Sequence, residues 1–588
     1  MEIKIIITFT LLIFWLYLLV YGIKKKKIND NFNINKIKIK NNQNSLINEN
    51  FFIIDSNNLG AIVPHMYGYS VSKNGFFTDN YYKQLGEYKE PSPEGVYIMI
   101  RKIGDEIIIN QDYYGSIGLY IYENKAENYF ALSNSFLLLE KYLSRKQKIS
   151  LNRNFADSLI VTNLCTFSID ETLIKEIKQI HPNAFVIINI KTNELKMIFK
   201  DNEENTIPLE SEEGLKLIDK WIDKWCYIFR SLKKQINNIS ADLSGGFDSR
   251  ILLSVLLNSG IDMNEIRINT MLDSKNEHDI DYKIANNISS KLGFKVNNIK
   301  LDKNFISWNL EDILFNEFYS KLGFHKQFYL RDKFFVKPQF CFKGNGGEFL
   351  RGEPKVSIKK FIKILSLKNI KGYKQKFYNS TEILLNRSVS LLKKEKKFNN
   401  DYEITSKLYS TSIGKYHFGK ASFQCFMANI YNIQPLMDPE IRKIKFEISN
   451  KTSHDLIAYI YIRLAKELIN FPFQGNRILN FESIKKAIKL NSNFKPYKRK
   501  IDYNKNFYID KYRKSPARGL SNSNKVYEYL EKLFNSSNNY NNLGKIYNNN
   551  VIDWANDYMK KTNFFPFSQH YALLAIEKTL NLLSLNKK

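Results

Sequence analysis

Two short stretches carry residues whose types and spacing could hold an anion. The first, "ADLSGGFDSRILLSVLL" (Ala241–Leu257), sets Ser244, Gly245, Gly246, Asp248 and Ser249 between two apolar runs. A strand ending near Leu243 and a helix starting after the glycines would aim backbone N–H groups and a helix N-terminus at one spot, which suits a phosphate. The glycines permit a tight turn and close approach to the anion, and the serines add hydroxyl donors. An aspartate beside a phosphate needs a cation between them, so Asp248 implies Mg²⁺. The Walker pattern G-x-x-x-x-G-K-[ST] is absent. The second stretch, "FKGNGGEFLRG" (Phe342–Gly352), follows a strand-like run, "PQFCF". It sets Gly344, Gly346 and Gly347 around Asn345, with Glu348 next. A lone S-G-G is commonly no more than a strand-to-helix turn. Two such loops, each with a carboxylate, predict one Mg²⁺–pyrophosphate held from two sides, with Asp248 and Glu348 as metal ligands. A third signal is "IQPLMDPEIRKI" (Ile433–Ile444).

The surrounding patterns supply the elements that would position these loops. From Phe51 to about Lys200, short apolar runs alternate with turn signals. "VYIMIRKIGDEIIINQD", "GLYIYENKAENYFALSN" and "NAFVIINIKTNELKMIF" each read as a hairpin. From about Gly214 the period changes. "EGLKLIDKWIDKWCYIFRSLKKQI" has helical spacing. Strand "NNISADL", helix "DSRILLSVLLNSG", strand "IRINTML", helix "DIDYKIANNISSKLG" and strand "KVNNIKL" follow. That alternation predicts a parallel α/β sheet. The remainder is mostly helical by pattern, with Lys- and Asn-rich interruptions. "FPFSQHYALLAIEKTLNLLSL" reads as a packing helix. No internal repeat is seen.

Ile5–Ile23 carries no charge over 19 residues, enough at ~1.5 Å per residue to cross a ~30 Å hydrocarbon layer. Lys24–Lys27 follow it, which places the bulk of the chain in the cytoplasm by the positive-inside rule. The expectation is a single-pass anchor at 1–23 and a polar linker at 24–50. The net charge of +29 is spread out, with no arginine-rich stripe, so it argues for a biased composition rather than a nucleic-acid partner. Cys165, Cys226, Cys341 and Cys425 form no C-x-x-C pair, which excludes a disulfide framework or zinc site of ordinary spacing.

On these residues the chain resembles the asparagine synthetase family. S-G-G-F-D-S is similar to its pyrophosphatase loop, G-N-G-G-E to its G-x-G-G-D-E element, and P-L-M-D to its P-F-L-D. "DYKIANNISSKLGF" (Asp281–Phe294) resembles the helix after its second strand. "NQDYYGSIGLYIYENKAENYFALSN" and "LIKEIKQIHPNAFVII" resemble segments of its class II glutaminase domain. The likeness spans about residues 51–480 and is most specific at the first loop. It implies an α/β chain with two parts. Residues 51–205 would form a strand-rich, degenerate glutaminase-like sandwich. Residues 214–588 would form a parallel-sheet ATP-pyrophosphatase domain with a helical C-terminal part. It also implies ATP and Mg²⁺. Leu243, Ser244, Gly245, Gly246, Asp248, Ser249 and Gly344 would bind nucleotide, Gly344 near the ribose. The implied chemistry activates a carboxylate as its acyl-adenylate, releases pyrophosphate, and lets ammonia or another amine displace AMP.

Departures from the family shape the expectation. A class II glutaminase uses an N-terminal cysteine, and the first cysteine here is Cys165. The front domain would therefore be a remnant or docking surface, and the amine would not come from glutamine hydrolysed there. Asn345 stands where the family has an acid, Phe349 follows Glu348 where it has a D-E pair, and Tyr459 precedes Arg463 where it has the lysine of K-x-x-x-R. Arg250 and Arg351 are the candidates for the missing positive charge. The leading expectation is an AMP-forming amide-bond synthetase at the cytoplasmic membrane, acting on a surface-glycan or membrane-linked precursor. The alternatives are a catalytically degenerate nucleotide-binding scaffold and, on charge alone, a nucleic-acid-modifying enzyme.

Overall fold

The computed structural model describes residues 51–162, 168–200, 207–272, 279–300, 338–350, 356–365, 374–395, 398, 400–427, 429–445, 454–474, 478–492, 542–547, 551, 553–554 and 568–585. The anchor and linker at 1–50, Cys165 and Arg351 lie outside them. Among the described residues no helix is long and apolar enough to cross a membrane.

The front of the chain is antiparallel. Its first elements are β1 (Ile53–Asp55), β2 (His65–Ser72), β3 (Gly75–Thr78), helix α1 (Asp79–Leu85), β4 (Gly95–Ile103) and β5 (Glu106–Gln111). Next come β6 (Tyr120–Asn124), β7 (Tyr129–Ser133), helices α2 (Phe136–Leu143) and α3 (Arg153–Val161), β8 (Ile177–Gln179), β9 (Ala184–Asn189) and β10 (Leu195–Phe199). The three predicted hairpins are β4–β5, β6–β7 and β9–β10, each antiparallel. Gly104 has φ +59°, a left-handed conformation that an L side chain rarely takes in so tight a turn. The strands form a six-stranded sheet, β10-β9-β5-β4-β2-β3, and a four-stranded sheet, β1-β7-β6-β8. Ile98, Ile109 and Val186 from the first share one core with Ile54, Ile121 and Leu132 from the second.

The second half is a parallel sheet with helices. Strand β11 (Ile207–Pro208) leads into helix α4 (Glu212–Gln235). Ser211 caps α4 by accepting from the Gly214 N–H at 3.0 Å. Glu212 and Glu213 sit in its first turn and Lys233 and Lys234 in its last, matching the helix dipole at both ends. Its apolar stripe buries Ile218, Trp221, Ile222, Trp225, Phe229 and Leu232. Then come β12 (Ile239–Asp242), α5 (Phe247–Asn258), β13 (Arg267–Leu272), α6 (Asp279–Leu292), β14 (Val296–Lys300) and β15 (Gln339–Phe342). Helices α7 (Ile358–Leu365), α8 (Lys374–Glu395), α9 (Asp401–Ile413) and α10 (Lys420–Met427) precede β16 (Ile430–Ile433) and β17 (Ile444–Lys445). Helices α11 (Asp455–Leu464), α12 (Phe481–Asn491) and α13 (Ser568–Leu585) follow. The sheet order is β14-β13-β12-β15-β16, all parallel. The chain runs outward from β12 to β14 and then resumes on the other side of β12.

The two halves are packed into each other. The rings of Phe76 and Phe340 lie 5.1 Å apart, and those of Tyr69 and Tyr431 likewise. The buried Tyr69 hydroxyl donates to the Asn432 carbonyl at 2.9 Å. Helix α13 is the packing helix expected from the pattern. Its Leu573 and Ile576 join a core with Phe136 and Leu139 of α2 and Phe155 and Leu159 of α3.

Beside that contact Glu140 is fully buried. Burial pushes its carboxyl up to about 8, with Thr579 of α13 and Lys141 opposing. Below pH 4.5 the acid is protonated folded or unfolded, so the stability is fully present. Between there and about pH 8 only the unfolded chain gives up the proton, and stability falls by up to ~1.4 kcal/mol per pH unit. Glu140→Gln therefore melts higher than the parent protein at pH 8, and the gap closes toward pH 5, as thermal melts across that range will register.

Candidate functional site

The strand order places both glycine-rich loops at one crevice. In open α/β sheets a crevice forms at the carboxyl ends of the strands where the order reverses. Here the reversal lies between β12 and β15, and the first loop leaves β12 while the second leaves β15.

The first loop is held mostly by its own atoms. The Leu243 N–H donates to the Asn269 carbonyl at 2.8 Å. The Ser244 N–H donates to Ser249 Oγ at 3.0 Å, the two hydroxyls lie 3.0 Å apart, and the Gly246 N–H donates to Ser244 Oγ at 3.2 Å. The Gly245 N–H goes instead to Asp281 Oδ1 of α6, at 2.7 Å. A methyl at Gly245 would lie 2.7 Å from Ile284 Cδ1, so this glycine lets α6 close onto the loop. The N–H groups of Ser244 and Gly246 thus meet hydroxyl acceptors that a phosphate can replace, whereas Gly245 is bound to a carboxylate. Helix α5 begins at Gly246 with no side-chain cap. Ser244, Gly246, Asp248 and Ser249 are half-buried, while Leu243, Gly245, Phe247 and Arg250 are buried, so one side of the loop faces outward.

Arg250 sits behind the loop, fully buried. It donates to the carbonyls of Leu468 at 3.2 Å, Phe471 at 3.0 Å and Gly245 at 3.3 Å, and to that of Pro472. Its guanidinium lies 3.8 Å from the Phe473 ring centroid. Burial lowers it to about 10, so it remains charged, serving the backbone rather than the outward side of the loop. From α11 the Tyr461 hydroxyl donates to the Phe247 carbonyl at 2.6 Å.

The second loop meets the first at two glycines. A methyl at Gly344 would lie 2.8 Å from the Asp248 carbonyl and the Ser249 nitrogen, and one at Gly347 only 2.1 Å from Asp248 Cγ. The Asp248 carboxylate is therefore pressed against Gly347, next to the half-buried Glu348. Tyr409 of α9 donates to Glu348 Oε2 at 3.4 Å. Gly346 has φ +95°, and a methyl there would strike Met437 Sδ at 2.7 Å and the Leu436 carbonyl at 2.8 Å. The third motif, Pro435–Asp438, thus backs the second loop. Phe349 stacks on Tyr114 at 5.9 Å and carries the Arg442 guanidinium 4.4 Å over its ring. It ties the loop to the front half by packing.

Behind this motif lies a charged group that the sequence pattern did not announce. Asp438 accepts from Trp225 Nε1 and Lys224 Nζ, both at 2.8 Å, and Lys224 also pairs with Glu94 of the front half. Burial pushes the Asp438 carboxyl up, Lys224 opposes, and Glu94 adds to the rise. A cavity of about 1130 Å³ opens beside it, lined by Phe77, Tyr81, Tyr82, Lys220, Trp221 and Tyr227 among others. None of the loop residues lines it. Tyr459 is buried, and Arg463 pairs with Asp219 at 3.0 Å. Asp281, Asp242 and Lys343 were not singled out from sequence. The only available signal for Asp281 was its place at the head of the D-Y-K-I-A helix.

Comparison of the chain with protein-family models finds no match, and neither does comparison with curated proteins.

The glycine contact is testable by stability. Gly347→Ala drives a methyl into Asp248 and costs of order 1–3 kcal/mol, the usual effect of overpacking. Gly60→Ala, with nothing within 4 Å, stays within ~0.5 kcal/mol. Urea unfolding of both variants compares the two positions.

Proposed function

We propose that the crevice between β12 and β15 binds ATP and that the chain is an AMP-forming amide-bond synthetase of the asparagine synthetase type. The observation that carries this is the meeting of the two loops at the strand-order reversal, where the Asp248 side chain lies against Gly347, the residue before Glu348. Both carboxylates are half-buried and lie on facing loops, a donor set that fits a hard cation with oxygen ligands. Asp248 and Glu348 would hold Mg²⁺, which when bound neutralises charge on a leaving pyrophosphate. Ser244 and Ser249 would turn their hydroxyls from each other to the phosphates. Gly344, which admits the start of α5 against the second loop, would lie near the ribose.

In the reaction, a substrate carboxylate oxygen displaces pyrophosphate from the α-phosphorus. An amine nitrogen then displaces AMP from the acyl carbon and gives up its proton. The two shared-core sheets of the front half support a degenerate glutaminase-like sandwich. Among the described residues Cys226, Cys341 and Cys425 are buried and in no disulfide; burial pushes Cys226 up to about 12 and Cys341 up to about 11, which leaves those two thiols unreactive. On this reading the amine is ammonia or an amine on another molecule. Ile5–Ile23 would tether the enzyme to the membrane with the catalytic part in the cytoplasm, and a membrane-linked or surface-glycan carboxylate is the substrate class this implies.

Tyr459, which stands where the family has lysine, favours a second reading: a nucleotide-binding scaffold without catalysis. The discriminating experiment gives the protein ATP, Mg²⁺ and total metabolite extract, with and without ammonium, and measures AMP and pyrophosphate. Extract-dependent release in equal amounts, lowered about 10²–10³-fold in Asp248→Asn as for loss of a key charge-stabilising group, supports the synthetase. ATP binding with no release supports the scaffold, and absence of ATP binding sinks both.

A further inference from the structure

Asp242 and Lys343 close the strands that carry the two loops. Ala241 pairs with Phe342 in the parallel register, so the next residues, Asp242 and Lys343, stand side by side at the carboxyl rim, one step before Leu243 and Gly344. Their side chains form an ion pair. The lysine side chain is 25% exposed and the aspartate 43% exposed, so the pair opens outward at the mouth of the crevice.

A phosphate chain entering this crevice needs positive charge, because Asp242, Asp248 and Glu348 already crowd it with carboxylates. The neighbouring arginines have other work. Arg250 is buried among carbonyls, Arg463 is paired with Asp219, and Arg442 lies over the Phe349 ring. Burial works against the Lys343 ammonium, but Asp242 beside it outweighs burial and holds the amine above its ordinary range. A phosphate offers the Lys343 ammonium more negative charge than the carboxylate it would replace.

We propose that Lys343 is the cation that receives the nucleotide's phosphate chain, exchanging Asp242 for phosphate when nucleotide enters. This rests on the nucleotide reading of the crevice. Lys343 is a binding residue here, and Asp242 is its partner only until nucleotide enters.

The test measures the affinity of the full chain for ATP and for adenosine, with Mg²⁺, by calorimetry at several salt concentrations. In Lys343→Gln the ATP Kd rises about tenfold or more and depends less on salt. Its adenosine Kd stays within about twofold, and Lys343→Arg restores most of the ATP affinity. If Lys343→Gln binds ATP as the parent does, or loses ATP and adenosine equally, the proposal is overturned and the pair is only structural. Should Lys343→Gln fail to fold, Asp242→Asn decides. It removes the competing carboxylate, so ATP binding at least as tight as the parent's supports the exchange and weaker binding overturns it. A parent protein that binds neither ligand overturns the nucleotide reading itself, a result distinct from a parent that binds ATP and a variant that binds it equally.

Discussion

The contact of Asp248 with Gly344 and Gly347 is the constraint around which the crevice is arranged. A carboxylate at the start of one helix can lie against a neighbouring loop only if that loop has no side chains there. Methyl groups at these glycines would fall 2.8 Å and 2.1 Å from Asp248 atoms, inside any real contact distance. The third motif applies the same rule one layer back, where Gly346 admits Leu436 and Met437. Three segments far apart in sequence therefore converge because each presents bare backbone where the next must enter. The strand order makes that convergence available, since β12 and β15 are neighbours whose connections leave in opposite directions.

The loop is stiffened from behind. Arg250 ties the Gly245 carbonyl to the 468–472 segment, Asp281 holds the Gly245 N–H, and Tyr461 holds the Phe247 carbonyl. Loss of the guanidinium would strand several buried carbonyls, each costing about 1–3 kcal/mol. These bonds spend the inward-facing polar groups on rigidity. They hold the half-buried Ser244, Asp248 and Ser249 on a fixed backbone frame.

Much of this was legible in the sequence, for identifiable reasons. The hairpins and the strand-helix-strand order follow from periods of 2 and 3.6 with glycine punctuation. The loops were legible because glycines cluster directly after apolar runs, at Gly245 and Gly246 and again at Gly344, Gly346 and Gly347. Their meeting was expected only from the chemistry of a shared pyrophosphate, since nothing local says that the strand β15 returns to lie beside β12. The Asp242–Lys343 pair depends on that adjacency and was hidden with it. Arg250 invited a role toward the anion because it follows the loop at once. The turn of α5 points it inward instead, four residues from Gly246 and toward the 468–472 carbonyls. Phe349 and Tyr459 looked like losses of chemistry. In the fold both are core residues, one under Arg442 and one between α11 and its neighbours.

The front half belongs to the same body as the crevice. Tyr69 and Phe76 fill a ring cluster with Phe340 and Tyr431 on the strands that carry or flank the second loop. Glu94 reaches across to Lys224, and Lys224 to Asp438, whose turn supports Gly346. That group holds two carboxylates against one ammonium in a largely buried place. Removing Lys224 would leave two buried carboxylates without their cation, a change that costs about 3–5 kcal/mol. The antiparallel half is thus retained by the same interactions that shape the second loop.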